Sequence, residues 1–170
     1  DHQWASVEFN KHCPEAKVFL YQNSRSQKYR KTYNDFLNTP GFKVLVVAVE
    51  STISKHCREV IEKFIRPVTM IILDEATTIK NPESQRSKYI LQLRREWEGP
   101  AMWLSGTSLA KNPIDLWALY EFLSPCILRC KYGTFKYAYT IWQEIYTKNR
   151  YGEVEKRRVP LQPKTFIDLK

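Results

Sequence analysis

The run Met70-Ile71-Ile72-Leu73-Asp74-Glu75 delivers two adjacent carboxylates at the end of a continuous apolar stretch. Such a stretch reads as a buried strand, and parallel α/β sheets bind ligands beyond the carboxyl ends of their strands. Two carboxylates at that place suit phosphate chemistry. The first can hold Mg²⁺, usually through water, so that the metal neutralises phosphate charge. The second can polarise an attacking water as general base. The competing reading is a strand that ends in a solvated acidic turn, and the pair alone leaves the two about even. A second short run, Ala101 to Leu104, ends in Ser105-Gly106-Thr107. Small hydroxyl residues there can reach both the carboxylates and a bound phosphate or nucleic-acid backbone, although Ser, Gly and Thr are also common in plain strand-to-helix turns.

Residues 1–123 read as helix alternating with strand. A short helix around Trp4, Val7 and Phe9 ends near Pro14, and Lys17 to Tyr21 is a strand candidate. Ser24 to Leu37 carries Tyr29, Tyr33, Phe36 and Leu37 at helical spacing. Pro40-Gly41 is a turn, and Val44 to Val49 is a strand with both faces apolar. Ile53 to Ile65 is an amphipathic helix stopped by Pro67, followed by the strand Val68 to Leu73. Asn81-Pro82 and Asn112-Pro113 each read as an N-cap followed by proline at the first helical position. The first of these helices turns Ile90, Leu93 and Trp97 inward, the second Leu116, Leu119 and Leu123. This order implies βαβ units and a mainly parallel sheet flanked by helices, so the fold class is α/β.

A length of 170 residues is one domain or part of one, and composition with 43% hydrophobic and 26% charged residues argues against disorder. The longest apolar run, Val44 to Val49, is far too short to span a membrane, and nothing at the start resembles a signal peptide. The chain opens on Asp1 rather than Met, the mark expected of a processed or excised piece. The cysteines, at 13, 57, 126 and 130, lack the paired spacing of a zinc site, and four free thiols suit a reducing, intracellular setting. The repeated dipeptides His12-Cys13 and His56-Cys57 read as coincidence.

The net charge is +9, a surplus that favours a polyanionic partner such as nucleic acid. Residues 124–170 hold 10 basic and 4 acidic side chains, so +6 of the surplus lies there. This second segment reads as basic, aromatic and helical, with Phe135, Ala138, Tyr139, Trp142, Ile145 and Tyr146 forming an inward stripe. Its aromatics, interleaved with basic residues, could stack bases or line a nucleic-acid groove, but they are taken as core. Some of its basic residues, among them Arg129, Lys131, Lys136, Lys148 and Arg150, are taken as phosphate contacts, which need only charge and reach.

Taken together, Leu73-Asp74-Glu75-Ala76, Ile79-Lys80-Asn81-Pro82, Leu104-Ser105-Gly106-Thr107, Leu116-Trp117-Ala118-Leu119 and Phe122-Leu123-Ser124-Pro125 resemble the helicase-type ATPases of superfamily two. The Swi/Snf-related branch is the nearest match, and Thr77 to Pro82 is worded most like its compact phage and bacterial members. Gln3-Trp4, Glu8-Phe9, Lys11 and Pro14 resemble the helix after motif Ia, Val44 to Glu50 the motif Ib strand, and Leu161 to Lys164 the exit from the first lobe. Two positions depart from the pattern: Ser108 stands where Pro is usual, and Val49 where many members have Tyr. They bear on the shape of the coupling loop and on one packing or backbone contact.

The resemblance implies a partial RecA-like first lobe over residues 1–123. Residues 124–170 would then lead toward a second lobe outside the chain. The cofactors implied are ATP and Mg, the reaction is ATP hydrolysis driving translocation, and the partner is double-stranded DNA. Asp74 positions the metal and Glu75 activates water, so both belong to the Mg site, while Ser105, Gly106 and Thr107 couple nucleotide state to DNA grip. The nucleic-acid contacts assigned are Ser51, Thr52, Lys80, Lys111, Arg129, Lys131 and Lys136. No GxxxxGK[ST] phosphate loop occurs in the 170 residues, so the isolated chain is expected to be inactive, the family placing that loop upstream. The setting expected is the cytoplasm of a bacterial or phage-infected cell. The alternative is a non-catalytic DNA-binding module on the same fold. A metal-dependent nuclease is weaker, since no third carboxylate is identifiable.

Overall fold

The computed structural model describes residues 7–106, 112–148 and 150–163. Gln3, Trp4, Thr107, Ser108, Lys111 and Lys164 lie outside the described residues. The chain divides into two compact units, Asp1–Thr69 and Met70–Lys170.

In the first unit, α1 (Phe9–His12) precedes β1 (Lys17–Leu20), α2 (Gln27–Asn38), β2 (Lys43–Val46) and α3 (Lys55–Phe64). Ser26 starts α2 by accepting a hydrogen bond from the Tyr29 amide at 3.2 Å, which satisfies one of the helix's open donors. Gly41 takes φ +105° in the turn that follows, a conformation open to glycine and strained for other residues. β1 and β2 then pair in parallel, with Val18 beside Val44 and Phe19 beside Leu45. Tyr21, Tyr33, Phe36, Cys57 and Val60 form the core, with Phe19 and Phe64 packed against it. The Tyr33 hydroxyl donates to the Val60 carbonyl at 2.6 Å and so joins α2 to α3. The expected strand to Val49 is shorter, because Val49–Ile53 winds into a 3₁₀ turn.

In the second unit, β3 (Ile71–Leu73) pairs in parallel with β4 (Ala101–Trp103), and α4 (Gln85–Glu96) is the connection between them. α5 (Leu116–Leu123) packs on β4 and on α4. The parallel α/β reading therefore holds. One cap moves. Ser84 rather than Asn81 caps α4, accepting from the Ser87 amide at 3.3 Å, while Asn81 Oδ1 closes a turn with the Glu83 amide at 3.0 Å. Ile90 is buried and Leu93 half-buried in α4, with the half-buried Trp97 just past its end, and the buried Arg94 joins them. The strand pair is apolar on both faces, as expected, but Ile72 and its register partner Met102 remain exposed.

The largest difference lies after residue 130. The helical stripe expected from Phe135 to Tyr146 divides: α6 (Tyr132–Ala138) ends, and β5 (Thr140–Lys148) runs antiparallel to β6 (Val154–Pro163). The segment is thus a short helix plus a long hairpin, not a helix throughout. Thr140, Ile141, Trp142, Ile145, Tyr146 and Thr147 are β-branched or aromatic, types that fit a pleated strand better than a helix. Gly152, at φ +83°, helps to turn the chain between the two strands.

Candidate nucleotide site and nucleic-acid face

Asp74 and Glu75 stand where β3 ends, and the backbone around them is tied to the end of β4. The Leu104 amide donates to the Leu73 carbonyl and the Ala76 amide to the Leu104 carbonyl, both at 2.9 Å. These bonds bring the strand end that carries Ser105 and Gly106 beside the carboxylates. Asp74 Oδ1 accepts from the Glu75 amide at 2.9 Å. Glu75 is left-handed, φ 50° and ψ 54°, a conformation that costs a non-glycine residue roughly 1–2 kcal/mol. Directly after it, Ala76–Ile79 forms a 3₁₀ turn anchored by the fully buried Ala76 and Ile79. The strained turn holds both carboxylates out toward solvent, where both are exposed.

The donor set suits Mg²⁺. One or two carboxylates, completed by water and phosphate oxygens, is how this hard cation is usually held, and Asp74 and Glu75 supply such a pair. Among the described residues no three His, Cys, Asp or Glu side chains converge on a point. Ser105 is half-buried, and Gly106 has open space where a side chain would stand. Thr107 lies outside the described residues, so only the first two residues of Ser105-Gly106-Thr107 are placed.

The assigned nucleic-acid contacts scatter between the units. In the first, Ser51 is half-buried, but Thr52 is buried and its hydroxyl donates to the Val49 carbonyl at 2.6 Å, so it is committed inside the chain. In the second, Lys80 and Lys131 are exposed. Arg129 is exposed and left-handed at φ 51°. Lys136 pairs with Glu83 at 3.7 Å and lies 5.7 Å from the centre of the Tyr132 ring. Lys111 lies outside the described residues.

Sequence reasoning missed the brace behind the site. Arg94 is 7% exposed, yet it donates from Nε to the Phe122 carbonyl at 2.8 Å, from one terminal nitrogen to the Leu123 carbonyl at 3.0 Å, and from the other to the Trp97 carbonyl. It thus satisfies carbonyls at the C-terminal end of α5. Beside it, Arg95 grips the buried Glu121 at 2.9 Å, and the second oxygen of Glu121 accepts from the Cys126 amide at 3.0 Å. The only signal available was a pair of arginines on a helix with an apolar face.

No helix among the described residues is long and apolar enough to cross a membrane. The family model for the SNF2-related domain matches residues 2–159. A probable ATP-dependent helicase of Plasmodium falciparum is 29% identical over 121 residues, 71% of this chain and 5% of that protein. Helicase swr1 of Emericella nidulans is 30% identical over 119 residues, 70% of this chain and 6% of the relative. Helicase domino of Drosophila melanogaster is 30% identical over 122 residues, 71% and 4%. The chain therefore spans only about one-twentieth of the length of these curated relatives.

Proposed function

Since the chain belongs to the SNF2-related family, we propose that it is part of the first RecA-like lobe of an ATP-dependent translocase that tracks on double-stranded DNA. The observation that carries this reading is the exposed Asp74–Glu75 pair, held by a left-handed turn at the end of a parallel strand. Asp74 would hold Mg²⁺, and the metal when bound supplies charge neutralisation for the phosphates of ATP. Glu75 takes the proton of the attacking water. Its left-handed backbone fixes the direction of the side chain before substrate arrives, so less ordering is left for the reaction. Ser105 to Thr107 follow β4, whose end is bonded to the backbone on both sides of the carboxylates, so a shift at either place is passed to the other.

DNA contact through Ser51, Lys80, Lys111, Arg129, Lys131 and Lys136 rests on the +6 charge of residues 124–170 and on the exposure of Lys80, Arg129 and Lys131. The absence of GxxxxGK[ST] from these 170 residues favours assigning turnover to a longer polypeptide, and it keeps the non-catalytic DNA-binding module as the second reading. A compact phage or bacterial parent rests on the wording of Thr77 to Pro82, while the relatives named above are eukaryotic. The test is Glu75→Gln in the parent polypeptide. ATP binding is expected to stay nearly intact and turnover to fall roughly 10²–10⁴-fold. Unchanged turnover removes the assigned role.

A further inference from the structure

The β5–β6 hairpin leaves tyrosine rings exposed among cations. Residues directly opposite in an antiparallel pair share a face, as do alternate residues along each strand. One face therefore holds Tyr146 opposite Lys156, Glu144 opposite Arg158, and Lys148 opposite Val154. Every one of these six is exposed, and Tyr146 stands 70% open. The same face continues to the half-buried Trp142 opposite Pro160, and the other face holds the half-buried Ile145, Thr147, Glu155 and Val159 with the exposed Gln143 and Arg157. At the turn, Tyr151 is 73% exposed, with the Arg150 guanidinium 4.9 Å from its ring centre. Strand alternation sends Tyr146 to the face opposite Ile145, and on that face it has no cover. Here the large rings stand outward among cations.

We propose that this face is a binding site for single-stranded nucleic acid, with bases stacking on Tyr146 and Tyr151 and phosphates held by Lys148, Arg150, Lys156 and Arg158. Same-face residues along a strand lie about 7 Å apart, a step that suits the extended backbone of an unpaired strand. Duplex phosphates need only charge, whereas the ring faces of bases are open only where the strand is unpaired, so exposed aromatics favour a single strand over a duplex. An acidic protein segment would use the cations but gains little from the rings. Glu144 sits within this face and pairs with both Lys156 at 2.6 Å and Arg158 at 3.4 Å. It orders the two cations while no ligand is present and competes with phosphate for them. Lys148 and Arg150 also belong to the basic residues read from the sequence as phosphate contacts, whereas Ser51, Lys80, Lys111, Arg129, Lys131 and Lys136 are used by the duplex reading alone.

The test titrates labelled oligothymidylate, a blunt duplex and polyglutamate against the 170-residue chain at several salt concentrations. Tyr146→Ala and Tyr151→Ala are each expected to weaken oligothymidylate binding about 5–100-fold at unchanged salt slope, because stacking is not ionic. Tyr146→Phe, which keeps the ring and the strand propensity, should bind as the parent chain does. Lys148→Ala should flatten the slope by about 0.7, the increment for one single-strand phosphate. Glu144→Gln should raise affinity a few-fold by releasing two cations. Alanine variants that bind oligothymidylate like the parent chain overturn the proposal, as does polyglutamate that competes equally well. If an alanine variant unfolds by circular dichroism, Lys148→Ala and Glu144→Gln decide it alone, and no change in either is refutation. Duplex binding without oligothymidylate binding refutes the hairpin site and leaves the duplex reading intact. The converse refutes only the duplex reading.

Discussion

Arg94 and Phe122 lie 28 residues apart in sequence, and the guanidinium Nε of one is 2.8 Å from the carbonyl oxygen of the other. α4 begins eleven residues after Asp74, and this bond fixes its far end against the last turn of α5, which in turn packs on β4. The strand that leads to Ser105 and Gly106 is thereby braced through a buried arginine. Lysine has no planar fork and cannot reach three carbonyls at once. Arg94→Lys is expected to destabilise the second unit by about 1–3 kcal/mol, the scale for hydrogen bonds to a charged group, and Arg94→Met by more because the carbonyls lose every donor. Urea unfolding of the variants measures this, and a midpoint equal to that of the parent chain rejects the brace.

The left-handed turn at Glu75 makes a prediction of opposite sign. Glycine adopts φ 50° without the steric cost of a side chain, so Glu75→Gly should stabilise the chain by about 0.5–1 kcal/mol while removing the carboxylate. Glu75→Gln keeps the strain and should leave stability near that of the parent. Asp74→Asn retains an Oδ1 acceptor for the Glu75 amide and should also fold normally. Destabilisation by Glu75→Gly would show that the turn is not left-handed in solution.

The legible parts of the fold were those with local causes. Val44 to Val49 and Val68 to Leu73 announce strands by apolar runs, where the paired strands are Lys43–Val46 and Ile71–Leu73, and Asp74-Glu75 at the end of the second run is the proposed site. The hairpin was less legible because Phe135, Ala138, Tyr139, Trp142, Ile145 and Tyr146 satisfy a helical period by chance. The β-branched and aromatic types on either side of Glu144 were the better guide, together with Gly152 as the turn. Ser84 was hidden by Asn81-Pro82, a stronger start signal three residues too early. Arg94, Arg95 and Glu121 were illegible for a different reason. The Phe122 and Leu123 carbonyls held by Arg94, and the Arg95–Glu121 pair, join residues more than twenty apart, and no periodicity encodes such a pairing.

Cys57 connects the core of the first unit to pH. It is fully buried, and burial pushes its thiol up to about 11 from an ordinary value of 9.0. Burial also raises the Tyr33 hydroxyl. As pH rises from about 9 to about 11, the unfolded chain releases the Cys57 proton while the folded chain keeps it, so the unfolded state binds fewer protons and stability falls. Urea midpoints should therefore drop across that interval, and less steeply in Cys57→Ala, where only Tyr33 and other late-titrating groups remain. The same burial should shield Cys57 from a thiol reagent at pH 8 while the exposed Cys126 reacts. Rapid modification of Cys57 in the folded chain would contradict both expectations.

The duplex reading is tested by how binding responds to salt. Residues 124–170 carry a net +6, and no base-reading motif is evident in them, so phosphate contacts should dominate and sequence preference should be absent. Charge spread over one surface rarely engages all at once. Roughly three to five phosphates are expected, with near-micromolar or weaker affinity and a log–log salt slope of about −0.9 for each phosphate. The structure refines which substitutions are informative. Arg129 is left-handed, so Arg129→Gly removes its charge and relieves strain together, and a loss of binding cannot then be blamed on backbone damage. Lys136 is partly neutralised by Glu83 at 3.7 Å, so Glu83→Gln should strengthen duplex binding if Lys136 faces the phosphates. Arg129→Gly combined with Lys131→Ala and Lys136→Ala should flatten the slope by about one to three units. If these side chains only keep the segment around α6 soluble, the triple variant will change solubility and leave the slope alone. A salt-independent affinity for the labelled duplex, or a clear preference for one sequence, would end the duplex reading.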